Sequence, residues 1–173
     1  MSYEPVNAAR TVEVRYAVEG DVQVISGILN EAATWIREHH VPMWRPDELA
    51  VARVAPDVAS GLFVLASVDG TPAALAKFQL SDPEFWPEEP PEDSTFIHRL
   101  AVRRQYAGTG VSSALIDWAV ERTRSLGRHY LRLDCDALRP RLREFYERHG
   151  FVFHSEIEVG PYRVTRYEHR VDL

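Results

Sequence analysis

The chain has 173 residues but only one cysteine, Cys135, and two methionines. A lone cysteine closes no internal disulfide, and a cysteine zinc site needs several thiolates at close spacing, so both are excluded. No run approaches the ~20 apolar residues of a membrane span. The opening MSYEPVNAAR carries no apolar stretch like that of a secretory leader. The expectation is a cytoplasmic protein in a reducing compartment, with no membrane partner. Repeats are absent, and biased composition is confined to one proline-acid loop between Ser81 and Ser94. Hydrophobic residues make up 45% and charged residues 27%, which fits a chain that buries a core and excludes a disordered one. The length argues for one domain, expected over residues 11–173, behind a flexible tail at residues 1–10.

A broad basic surface is also lacking. The net charge is -6, which argues against nucleic acid as a partner. Positive charge is nevertheless concentrated, because eleven arginines stand against six acids between Arg99 and Arg148. That stretch is either a solvated helix face or the local site of a small phosphorylated ligand.

Periodicity supplies the order of elements. Thr11–Val18 alternates and is rich in β-branched residues, which predicts a strand. Asp21 then opens a helix with Ile25, Ile28, Leu29, Ala32 and Ile36 on one stripe, broken before Pro42. A second helix is expected to follow Pro46-Asp47 and end near Gly61. Leu62–Val68 and Ala73–Leu80, separated by Asp69-Gly70-Thr71-Pro72, read as a hairpin. Thr95–Val102 reads as a buried strand, Gly110–Leu126 as a helix and Tyr130–Cys135 as a strand. Pro140–His149 is a short helix, and two strands around Gly160-Pro161 close the chain. This order predicts an α+β (mixed α/β) domain around one sheet and not a regularly alternating doubly wound one.

The most informative segment is LAVRRQYAGTGVSS, Leu100–Ser113, where a strand runs through a glycine-bearing loop into a helix. A helix N-terminus presents unpaired N–H groups and partial positive charge, and glycines let a ligand approach that backbone. A pyrophosphate suits such a loop, and Arg103 and Arg104 add charge beside it. A P-loop would need Lys followed by Ser or Thr where Val111-Ser112 stands, and a dinucleotide fingerprint would need a third glycine at Ser113. The remaining pattern is Gln-x-x-Gly-x-Gly, from Gln105 to Gly110.

Combined with the preceding LAV and with FYERHGF from Phe145 to Phe151, this loop resembles that of the GCN5-related N-acetyltransferase (GNAT) superfamily. The resemblance spans about Thr11 to the end of the chain and is strongest from Ile97 to Phe153. It implies a central, mostly antiparallel sheet with one splayed pair of strands flanked by helices, and acetyl-coenzyme A as co-substrate without a metal. Main-chain groups of Leu100, Ala101 and Val102 would then meet the pantetheine arm. Amides of Gln105, Gly108, Thr109, Gly110, Val111 and Ser112 would hold the pyrophosphate. Ala107 and Ser112 depart from the arginine and third glycine of many members, but neither side chain is needed for amide donation.

The same resemblance assigns Tyr146 as the donor that protonates the departing thiolate. Arg139 stands where members often carry asparagine, and is expected on the pantetheine, the acceptor or a cofactor phosphate. An attacking amine must lose a proton first. His98 is the first candidate acceptor, because HRLAV resembles the strand of arylalkylamine acetyltransferases whose histidine joins a water relay. The second histidine of that relay falls at Phe96. Asp134 is the alternative base, and Cys135 is expected to be a small buried hydrophobe. Trp35, Trp44 and Trp86 are candidate acceptor-binding residues, with aromatics among acids favouring a cationic amine such as a polyamine or arylalkylamine. The expected reaction is acetyl transfer to a small primary amine by direct attack. The alternative is a catalytically silent coenzyme A sensor or partner-binding module. A homodimer through the last strands is a habit of the superfamily.

Overall fold

The computed structural model describes residues 10–40, 42–88 and 91–173. Apart from Arg10, the expected tail therefore lies outside the described residues, as do Val41 and, in the acidic loop, Glu89 and Pro90. The elements in chain order are β1 (Val12–Tyr16), α1 (Val22–His39), α2 (Val51–Ala59), β2 (Phe63–Val68) and β3 (Thr71–Gln79). They continue with β4 (Ser94–Val102), α3 (Val111–Ser125), β5 (Tyr130–Asp136), α4 (Pro140–Arg148), β6 (Val152–Val159) and β7 (Tyr162–Arg170). The seven strands form one sheet in the order β1-β2-β3-β4-β5-β7-β6, giving the α+β architecture the resemblance implied.

Alternation along the strands explains how two faces are covered. Leu65 and Leu75 point to one side, where Ile25, Ile28 and Leu29 of α1 and Val54 and Val58 of α2 bury their stripes. Val64, Ala66 and Phe78 point to the other, against Leu115, Ile116 and Ala119 of α3. Each such fully buried aliphatic side chain stabilises the fold by about 1.5–3 kcal/mol relative to exposure. Among the described residues, no helix is long and apolar enough to cross a membrane.

Two boundaries differ from the sequence expectation. Pro46–Leu49 forms a separate 3-10 turn, and Ala50 is extended (ψ 148°), so α2 begins only at Val51. The hairpin turn is shorter than Asp69–Pro72. Asp69 and Gly70 alone form it, both with positive φ, as a two-residue loop matching the strand twist requires. Pro72 therefore lies inside β3, where a register shift between Ala66 and Ser67 of β2 accommodates a residue that cannot donate to the ladder.

Neighbouring strands are antiparallel except β4 and β5, which α3 joins by a crossover. Their parallel register runs only from Ser94↔Tyr130 to Ile97↔Leu133. Beyond Ile97 and Leu133 the two strands part, and the opening between them positions the site.

Candidate active site

β4 carries a bulge where it leaves β5. Lys77 pairs with His98 and Leu75 with Ala101, so Arg99 and Leu100 together oppose the single residue Ala76. Arg99 takes up the extra length with a left-handed backbone (φ 52°), at a cost of about 1 kcal/mol for a residue with a Cβ. The bulge breaks the two-residue alternation. His98, Arg99, Leu100, Ala101 and Val102 consequently all line one cavity of about 600 Å3. Its other walls come from α1 and the segment after it (Trp35, Met43, Trp44, Glu48), the β3–β4 loop (Asp82, Phe85), the end of β5 (Asp134, Cys135) and α4 (Leu142, Tyr146).

At the parting of the strands, His98 lies between two carboxylates. Its Nε2 is 2.8 Å from Asp82 Oδ2 and its Nδ1 is 3.2 Å from Asp134 Oδ1. The side chains of Asp82 and Asp134 are 6% and 9% exposed, so the charges lie in a poorly solvated place. Both are close ion-pair contacts that join the imidazole to the two carboxylates. Burial pulls the His98 pKa down, but the hydrogen-bonding capacity and charge of Asp134 and Asp82 outweigh it and push it up to about 9. At neutral pH the imidazole is therefore a cation, and the trio carries one net negative charge. An unbalanced buried charge is costly unless a counter-ion arrives.

Two further groups titrate far from neutrality. Burial, with smaller contributions from Cys135 and Asp134, raises the Tyr146 pKa above the ordinary phenol value. Tyr146 thus remains a neutral O–H donor, wedged between the rings of Phe145 and Phe151. Burial, then the charge of Asp134, pushes the Cys135 thiol up to about 12. A thiol so perturbed is a poor nucleophile.

The loop before α3 is open to a ligand. Gly108 and Gly110 have φ values of 74° and 86°, and a Cβ on either would meet nothing within 4 Å. Inside α3 the hydrogen-bond ladder begins with Ala114 N–H donating to Gly110 O, which leaves the first-turn amides of Val111, Ser112 and Ser113 without a partner one turn back. Arg104, whose guanidinium lies 4.3 Å over the Trp35 ring, and Arg139 at the start of α4 add positive charge to the cavity wall.

The structure brings most of the sequence candidates to this cavity. His98, Asp134, Tyr146, Leu100, Ala101, Val102, Ser112, Arg139, Trp35 and Trp44 all line it. Three do not fit as expected. The Thr109 amide is already committed, donating to Tyr106 O at 3.2 Å. Gln105 lines a separate shallow recess with Asp69 and Thr71. Trp86 is buried away from the cavity, with Arg132 and Arg166 stacked on its ring at 5.0 and 4.7 Å, so it belongs to the core. Asp82 was missed because the proline-acid loop reads as solvent-facing. The one available signal was Asp82-Pro83, a turn-forming pair, which here ties Phe85 N–H to Asp82 Oδ1.

Comparison with known proteins identifies the fold and the family. A curated relative from Bacillus subtilis (strain 168), YesJ, named an uncharacterized N-acetyltransferase, is 28% identical over 143 residues, 79% of each chain. An acetyltransferase of the GNAT family from Listeria monocytogenes superposes with a TM-score of 0.76 at 22% identity, covering 92% of this chain and 95% of the other. The Salmonella typhimurium protein yncA, solved with its cofactor acetyl-CoA, gives a TM-score of 0.70 at 16% identity over 93% and 94% of the two chains. The paia N-acetyltransferase of Thermoplasma acidophilum, solved with coenzyme A, gives 0.72 at 14% identity over 90% and 98%. The model of the acetyltransferase (GNAT) family matches residues 29–151, which takes in the latter part of the first helix, the bulged strand, the glycine loop and the tyrosine helix, and the chain belongs to that family.

Proposed function

We propose that the protein transfers an acetyl group from acetyl-coenzyme A to the primary amine of a small molecule by direct attack. The observation that carries this reading is the buried, net-negative trio of Asp82, His98 and Asp134 at the mouth of the β4–β5 opening. A protonated amine is the counter-ion such a trio lacks, and it would arrive beside Tyr146 in the same cavity.

The glycine loop fits a diphosphate. Its free space, first-turn amides and neighbouring Arg104 match an anion that needs backbone donors and little side-chain bulk. Likeness to yncA and to the Thermoplasma protein, which were solved with acetyl-CoA and coenzyme A, supports the same ligand here. When bound, acetyl-coenzyme A supplies the thioester. The chain's own residues do the rest. The β4 bulge frees main-chain donors near Leu100 for the charge that grows on the carbonyl oxygen. Asp134 and Asp82 attract the ammonium. His98 holds its proton at neutral pH, so amine deprotonation through it becomes easier as pH rises toward about 9. Tyr146 gives a proton to the departing sulfur, and Cys135 stays out of the reaction.

The test is thiol release from acetyl-coenzyme A with a panel of small amines, read as a function of pH. The expected profile of kcat/KM rises toward alkaline pH, and Asp134→Asn lowers it by about 100-fold. Tight coenzyme A binding without turnover of any amine would overturn catalysis in favour of a sensor.

A further inference from the structure

Arg99 is a cation held in the cavity wall without a proper partner. Its Nη2 is 4.0 Å from Glu48 Oε2 and its Nη1 donates to Glu48 O at a long 3.5 Å. Glu48 is shared, since Arg45 approaches its Oε1 at 3.4 Å. Of the other cations lining the cavity, Lys77 is satisfied by Asp57 at 2.8 Å, Arg104 lies over the Trp35 ring, and Arg139 stands at the start of α4. Arg99 side-chain exposure is 27%, enough to reach a ligand and too little to be fully hydrated.

The backbone makes this placement deliberate. In a regular strand Arg99 would face the opposite side from His98. Its left-handed conformation turns both consecutive side chains toward one cavity. A non-glycine residue kept in such a conformation at a cavity points to function more than to folding.

From this we infer that the acceptor is an amino acid, whose ammonium meets the Asp82–His98–Asp134 trio while its carboxylate is clasped by the Arg99 guanidinium. The inference rests on the acetyl-transfer reading and names its substrate class. A net-negative trio centred on His98 and a cation at the next position of the same strand, both lining one cavity, complement a zwitterion. Guanidinium also offers the two parallel donors that a carboxylate takes best. Met43, Trp44 and Phe85 line the same cavity and suit an apolar or aromatic side chain. A polyamine, by contrast, would bring its second charge against Arg99. On this reading the acceptor differs from the polyamine or arylalkylamine that aromatics among acids suggest.

The experiment compares matched pairs of acceptors with the full chain and acetyl-coenzyme A: phenylalanine with phenethylamine, and methionine with 3-(methylthio)propylamine. The expected result is that kcat/KM favours each amino acid over its decarboxylated partner by about 10- to 100-fold. Arg99→Gln is expected to collapse that ratio chiefly through KM, and Arg99→Lys to restore part of it. Equal or better use of the plain amines by the parent, or an unchanged ratio in Arg99→Gln, overturns the inference while leaving acetyl transfer intact. If no acceptor is turned over, acetyl transfer fails, and the anchor is judged from calorimetric binding of the same pairs to the coenzyme A complex. Tighter binding of the acids that Arg99→Gln abolishes supports it there, and equal affinities overturn it.

Discussion

His98 and Asp134 face each other across the point where β4 and β5 separate, Nδ1 to Oδ1 3.2 Å, one residue beyond the last registered pair Ile97↔Leu133. Where the strands stay paired, these positions are sheet core. Where they part, the same two strands present a buried charge pair to a cavity.

That charge pair makes stability depend on pH. The folded His98 pKa of about 9 lies above the ordinary 6.5. The proton therefore stabilises the fold fully below pH 6.5, and this contribution is lost as pH rises from there through about 9. Its size is on the order of 3 kcal/mol. Urea midpoints are expected to fall between about pH 6 and 9.5, with a flatter dependence in His98→Gln, which carries no proton to lose. A parent curve as flat as the variant's would contradict a charged His98.

Tyr146→Phe removes the O–H donor and keeps the ring that packs on Phe145 and Phe151. Turnover is expected to fall by about 100-fold with the KM for acetyl-coenzyme A nearly unchanged. A loss expressed in KM would mean that the phenol binds the co-substrate and does not protonate sulfur.

Cys135, with its thiol pushed up to about 12, is expected to form no acyl-enzyme. Intact mass after mixing with acetyl-coenzyme A in the absence of acceptor should show unmodified protein. An acetyl adduct abolished by Cys135→Ala would demand a two-step mechanism instead.

Gly110→Ala separates backbone strain from ligand contact. At φ 86° the alanine costs about 1 kcal/mol, lowering Tm by roughly 2–4 °C, though its methyl meets no protein atom. Coenzyme A affinity is expected to drop by about tenfold or more, because the methyl enters the space beside the first-turn amides. Gly20→Ala, at an equally open glycine without positive φ, serves as the control, with affinity unchanged. Equal affinities for Gly110→Ala and the parent would move the diphosphate elsewhere.

Much of this architecture is legible in the sequence. Strand alternation and helical stripes located every main element, because each buries one face against the sheet and the period records that. The glycine loop and the tyrosine helix could be found because their chemistry is local in sequence. Three features could not be read. Arg99's conformation arises from a mismatch between two strands, and neither strand alone encodes it. Asp82 lies sixteen positions before His98, in a loop whose composition suggests solvent. Trp86 reads as an acceptor-binding aromatic among acids, yet two arginines from β5 and β7 close over it. Each depends on residues that only the tertiary fold brings together.

The short parallel register between β4 and β5 has a mechanical corollary. The sheet is two leaves bound along a spine of four residue pairs, aided near that spine by Arg132 reaching Ser94 Oγ at 2.6 Å. A guest lodged in the gap touches both leaves and so fastens them together at the unbound edge. Occupancy of the gap would thereby raise the stability of the whole fold.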